Sequence, residues 1–140
     1  MYIHLEETNK RFVIKEYKLQ GYGIADLVCI DHTKHKNGKN KIKEKKYVTS
    51  FEFKINNWKK AMSQAIRYKY YSNLTVVVLP PDKKSNYEKY IEAFTKYNIG
   101  LWIFDDDKEN IINLFTPRYS KPLVETLYQK VFESIPSNFR

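Results

Sequence analysis

The chain has 140 residues, 42% of them apolar, with twelve Tyr and eight Phe, which is enough for one buried core and too aromatic for a disordered chain. Lys and Arg number 25 against 16 Asp and Glu, a net charge of +9 that favours a polyanionic partner. No stretch approaches the roughly 20 apolar residues of a membrane helix. The first residues, Met1 to Glu7, lack the basic-then-apolar layout of a signal segment. The single cysteine, Cys29, has no partner within the chain, and a soluble protein of the reducing cytoplasm is expected.

In chain order, residues 11–19 alternate as a strand does, and Gly21-Tyr22-Gly23 marks a turn or bulge. Ile24 to Ile30 is a short apolar run broken by one charge, Asp26. Residues 32–46 hold seven lysines and one glutamate, which is six of the nine net charges. They are expected to form a loop, with Asn37-Gly38 a favoured hairpin turn pair. Tyr47 to Ile55 resumes as a strand, so 24–30 and 47–55 are expected to form one hairpin. Asn56 or Asn57 is placed to cap a helix running to about Tyr71, with Trp58, Ala61, Met62, Ala65 and Ile66 as its buried stripe.

Leu74 to Leu79 is continuous and β-branched, as suits a central strand, and Pro80-Pro81 ends it. Ser85 is placed to cap a second helix over 86–97, with Tyr87, Tyr90, Ile91 and Phe94 on its apolar face. Ile99 to Phe104 predicts a strand, Asp105-Asp106-Asp107 a polar turn, and Ile111 to Phe115 a short edge strand. Pro122 to Ile135 predicts a last helix carrying Leu123, Leu127, Val131 and Phe132. The order β-β-β-α-β-α-β-β-α describes one domain over 1–140, of α/β class, with a mixed β-sheet flanked by helices. The runs at 47–55, 74–79 and 99–104 are expected to be parallel through right-handed crossovers.

Pairing the hairpin so that residue 30 faces residue 48 sets Asp26 opposite Glu52. Alternation then gives Glu52 and Lys54 one face of the strand and Phe51, Phe53 and Ile55 the other. Burying three charges in an apolar hairpin is costly unless they pair or bind an ion. Two carboxylates beside a strand carbonyl, that of Phe53, make an oxygen-rich site for Mg²⁺. Lys54 is then placed to orient or deprotonate an attacking water, or to neutralise charge on a phosphate. A plain Glu52–Lys54 pair on a half-exposed strand is the structural alternative.

Gly23-Ile24-Ala25-Asp26-Leu27-Val28 followed by Phe51-Glu52-Phe53-Lys54 resembles the PD-(D/E)XK nuclease superfamily, which includes restriction endonucleases and Holliday junction resolvases. The resemblance spans about residues 11–104 and implies a restriction endonuclease-like fold. It implies Asp26 and Glu52 as the metal-binding acids and Lys54 as the catalytic lysine. Gln64 and Tyr68 resemble the Gln-x-x-x-Tyr motif that a RecB-like branch carries on the following helix. Ala25 stands where many members have proline. Many also carry a glutamate on a helix before the first strand, for which only Glu6 or Glu7 is available here.

The expected function is Mg²⁺-dependent hydrolysis of DNA phosphodiester bonds, with Mn²⁺ as a substitute and endonucleolytic action favoured. The alternatives on the same fold are a non-catalytic nucleic-acid-binding module and a subunit active only with partners. One domain of this size has little surface for reading DNA, so a homodimer with two active sites is expected. Lys34, Lys36, Lys39, Lys41 and Lys43 are the expected phosphate contacts, about 15 Å from the carboxylates, unless the segment is only a solvated loop. Lys60 and Arg67 flank the helix that bears Gln64, and are either phosphate contacts or solvated charges. Gln64 is set to hold a water or a phosphate oxygen, or is a boundary residue. Tyr68 either stacks on a base or packs in the core. His32 and His35, without cysteine partners, do not make a zinc site.

Overall fold

The computed structural model describes residues 8–36, 38–39, 41–81 and 88–137. Among them the order is β1 (Thr8–Lys18), β2 (Ile24–Lys36), β3 (Ile42–Phe53), α1 (Trp58–Tyr68), β4 (Leu74–Leu79), α2 (Glu88–Tyr97), β5 (Gly100–Asp105), β6 (Asn110–Phe115) and α3 (Glu125–Glu133). The strands make one six-stranded sheet in the order β1-β2-β3-β4-β5-β6. The helix-linked pairs β3–β4 and β4–β5 are parallel, and β1–β2, β2–β3 and β5–β6 are antiparallel. This is the expected mixed α/β arrangement, with its parallel pairs where a helix supplies the crossover.

Both crossovers step the same way across the sheet, so crossovers of one hand carry α1 and α2 to one face. There Ala61, Met62 and Ala65 of α1 and Phe94 of α2 meet Val77, Leu79, Leu101 and Ile103 of the central strands. A neighbouring cluster joins Val28, Ile30 and Val48 to Tyr68, Tyr71 and, from α3, Val131. The described helices thus share one side of the sheet. On the other side, Cys29, Thr49, Phe51, Val76 and Trp102 line a cavity of about 360 Å³ to which no described helix residue contributes.

Asn57 caps α1: its backbone is left-handed (φ 58°), which Asn tolerates, and its side chain accepts from the Lys60 amide at 3.2 Å. Ser85 and Tyr87 lie outside the described residues. The last helix begins three residues later than its sequence suggests. The amides of Leu123 and Val124 are held instead by the carbonyls of Lys69 and Tyr70, at 3.2 and 2.9 Å, which ties this approach to the end of α1.

The largest departure lies at residues 32–36 and 42–46, which are strand rather than loop. The β2–β3 ladder runs on to Lys36 opposite Ile42. Cross-strand charge pairing allows this. Glu44 lies opposite Lys34 in the register, interacts with His32 Nε2, and is 3.5 Å from Lys46 Nζ. The ribbon is anchored at its base by α3, whose Tyr128 hydroxyl donates to the Lys46 carbonyl at 3.2 Å. Lys46 Nζ also lies 5.7 Å from the centre of the Phe132 ring. Ten residues of strand separate Asp26 from Lys36, so the ribbon reaches ~33 Å from the carboxylates rather than the 15 Å expected of a loop.

Candidate active site

The turn between β1 and β2 fixes where β2 begins. Tyr22 N donates to the Leu19 carbonyl at 2.9 Å and Leu19 N to the Gly23 carbonyl at 3.2 Å. Gly21 and Gly23 hold φ values of 87° and 83°, a region glycine enters without a Cβ clash. From there the register is the expected one: Ile30 faces Val48, and the last ladder pair is Leu27 with Phe51. One step beyond, Asp26 and Glu52 stand opposite each other. Asp26 Oδ2 accepts from the Phe53 amide at 2.8 Å, so a carboxylate takes the place of the next ladder partner.

Glu52 is 2% exposed, beside Val77 of β4 and on the helix-covered face. Its Oε1 is 3.0 Å from the Tyr68 hydroxyl, which also lies 2.7 Å from the Ile24 carbonyl. A phenol has one hydrogen to give. When it goes to Ile24, the contact to Glu52 is completed by a proton on the carboxyl itself. Burial raises the Glu52 carboxyl to about 7, helped by the negative charge of Asp26 and opposed by the Tyr68 hydrogen bond and Lys54. Burial, then the neighbouring Glu52, also push the Tyr68 hydroxyl up.

Lys54 Nζ lies 4.0 Å from Glu52 Oε2, with its side chain 27% exposed. Its ammonium is therefore close enough to feel Glu52 and open enough to meet a ligand. Along α1, Tyr68 points the way to the site, and Gln64 lies one turn before it. Gln64 Oε1 is buried without a hydrogen-bond partner among the described residues, an acceptor left for a donor such as water. Continuing round the helix on the same flank come Lys60 and Arg67, both exposed. The structure thus brings Asp26, Glu52, Phe53 and Lys54 together, with Tyr68 against Glu52 and Gln64 one turn along.

One other expectation, a stacking role for Tyr68, needs revision. Tyr68 has no exposed surface and cannot stack on a base; it packs between Glu52, Ile24 and Tyr71. Lys34, Lys36, Lys39, Lys41 and Lys43 are exposed, but they belong to the ribbon and its turn, far from the carboxylates. His32 is engaged by Glu44, and Asp105 Oδ1 accepts from the amides of Asp107 and Lys108 as a turn-former does. Glu6 and Glu7 lie outside the described residues. Two features carry no mark in the sequence. One is the 2.7 Å ion pair of Arg11 with Asp31, and the other is a hollow beside Lys54 at the carboxyl ends of the parallel strands.

Among the described residues no group of three or more His, Cys, Asp and Glu side chains is arranged to hold a metal ion. The oxygens that face one another there are those of the Asp26 and Glu52 carboxylates, with Asp26 held on the Phe53 amide. Mg²⁺ is a cation that takes one or two carboxylates and keeps several waters. No described helix is long and apolar enough to cross a membrane. No protein-family model and no curated protein matches the chain.

Proposed function

We propose that this chain is a Mg²⁺-dependent nuclease of the PD-(D/E)XK kind, hydrolysing DNA phosphodiester bonds as an endonuclease, with Mn²⁺ as a substitute. The observation that carries the reading is one cluster at the end of β2 and β3. In it the Asp26 carboxylate sits on the Phe53 amide, Glu52 is buried opposite, and the Lys54 ammonium is 4.0 Å from Glu52. Support for a restriction endonuclease-like fold comes from the antiparallel hairpin that bears both acids and the helix crossover that follows it.

Asp26 and Glu52 would hold the cation with the Phe53 carbonyl. When bound, the cation lowers the pKa of water and offsets charge on the phosphate. Glu52 must release its proton to take part, and Tyr68 fixes the carboxyl by its hydroxyl. Lys54 orients the attacking water or meets the developing negative charge on the phosphate, since its ammonium is the cationic group beside Glu52. Gln64, with an unfilled acceptor, holds a water on the helix side. Lys60 and Arg67 are placed to meet flanking phosphates. A second copy of the chain would supply a second active site and enlarge the DNA contact.

The test is cleavage of linear, nicked, flapped and four-way DNA with Mg²⁺, with Mn²⁺ and with EDTA. Cleavage that needs the cation and disappears in Asp26→Ala and Glu52→Ala is expected. Binding without cleavage by folded protein points to the non-catalytic module, and full activity in both variants overturns the site.

A further inference from the structure

We infer that the hollow at the carboxyl ends of β3, β4 and β5 receives an unpaired nucleobase of the strand being cut. This rests on the nuclease reading and deepens it, because it makes single-stranded or frayed DNA the substrate rather than continuous duplex. The hollow holds about 290 Å³, at the small end of ligand pockets and enough for one planar ring system. Its position is where open α/β sheets present ligands, outside the carboxyl ends of parallel strands.

Three observations identify the occupant. First, the walls are aromatic and partly open: Phe53 is 49% exposed and Phe104 39% exposed, while Val78 and Leu79 are buried. A flat apolar ring laid here removes both phenyl groups from water. Second, Lys54 lines the hollow and is also the cation next to Glu52. A phosphate met by Lys54 would thus lie at the edge of the hollow that takes its nucleoside. Third, Phe53 belongs to both places: its amide is fixed by Asp26 at 2.8 Å, and its side chain forms the wall. Base site and carboxylates are thus neighbours at the end of one strand, the Phe53 ring on one of its faces and Glu52 and Lys54 on the other.

Asp106 at the rim supplies an acceptor for a base amino group. Bases within a duplex show only their edges to a protein. An unstacked base offers a face, and stacking on aromatic side chains is how single strands are held without sequence reading.

The experiment uses the full chain and two substrates of equal length, a single-stranded oligonucleotide containing 2-aminopurine and a duplex with both ends sealed by hairpins. Affinity and 2-aminopurine fluorescence are measured in EDTA, so that neither cation nor cleavage enters. The parent is expected to prefer the single strand and to quench the fluorophore. Phe104→Ala should weaken single-strand binding about tenfold and restore fluorescence, with duplex affinity unchanged. Phe104→Leu keeps most of the volume, removes the ring and should lie between, which guards against a folding defect in the alanine variant. Equal losses on both substrates, or no loss on either, overturn the base site. The nuclease reading is judged separately by cation-dependent cleavage in parent and Asp26→Ala.

Discussion

At one end of the β2–β3 hairpin, Glu52 is 2% exposed and shares its surroundings with Asp26, Tyr68 and Lys54. At the other end, Lys34, Lys36 and Lys43 stand in solvent on the same two strands. The buried end has few charges, each held by named atoms, and moving one proton changes its whole hydrogen-bond chain. The exposed end has many charges, and each matters little alone because water and salt screen it. The two ends lie ~33 Å apart by strand length, several times the ~8–10 Å over which salt screens exposed charge. Chemistry at one and grip at the other should therefore vary independently.

The largest effect expected is at the buried end. Asp26→Ala and Glu52→Ala should each take cleavage below detection while leaving DNA affinity near that of the parent. Without metal, thermal stability should hold or rise, since each change removes one of two facing carboxylates. Thermal melting in EDTA checks this, and a large fall in Tm would show that the pair holds the fold together instead.

Lys54 comes next. Lys54→Ala should lower kcat on the order of 10²-fold and weaken DNA binding only slightly, because its role lies in the reacting state. Single-turnover rates set against binding curves separate the two. An equal fall in both would make Lys54 a binding residue and blur the contrast between the ends.

The same contrast explains what the sequence discloses. The alternation of Phe51, Glu52, Phe53 and Lys54 and the spacing to Asp26 settle the register, and the structure pairs Ile30 with Val48 as that alternation requires. Periodicity also locates the strands and helices, because burial on one side leaves a repeating trace. Residues 32–36 and 42–46 leave no such trace, because their ladder is held by cross-strand charge, which has no apolar period. The Tyr68 bridge from Ile24 to Glu52 was half-legible: spacing places Tyr68 at the edge of a stripe, but only the packing of α1 on β3 shows which way its hydroxyl points. The hollow formed by Phe53 and Phe104 joins strands far apart in sequence, and no local pattern marks it.

The third prediction uses the proton on Glu52. Tyr68 from α1, Asp26 from β2 and Lys54 act on this group, and Glu52 in turn helps raise the Tyr71 hydroxyl. Its carboxyl is ordinarily near 4.5 and is raised to about 7 in the folded chain, so the folded state binds the extra proton between those values. Stability should fall as pH rises through that window, by at most ~3 kcal/mol, and stay low above it. Glu52→Gln should flatten the fall and give a higher Tm than the parent at pH 8 in EDTA. Cation affinity should run the other way and increase across the window, since the ligand is the carboxylate. A parent whose Tm is flat from pH 5 to 8 would show that Glu52 titrates as an ordinary carboxyl.

The smallest effects belong to the ribbon, where charges act by number. Lys34 and Lys46 share one face with Glu44, at 4.0 and 3.5 Å, so their charge is partly offset, while Lys43 and Lys45 alternate to the other face. His32, Lys46 and Lys34 together hold the Glu44 carboxyl below its usual range, with the His32 hydrogen bond the main cause. Replacing Lys34, Lys36, Lys39, Lys41 and Lys43 by Gln should weaken DNA binding on every sequence. The dependence of log affinity on log salt should flatten by about 0.7–0.9 for each lysine that meets a phosphate. Cleavage at saturating protein should survive, because the carboxylates lie at the other end of the hairpin. Glu44→Gln should do the reverse on a smaller scale: it frees Lys34 and Lys46, raises affinity about twofold at low salt, and steepens the slope by less than one unit. Affinity against salt concentration for the parent and both variants decides the point. If the slope does not move in either direction, the ribbon is a solvated strand pair, and the grip on DNA lies with Lys60, Arg67 and the surface around Lys54.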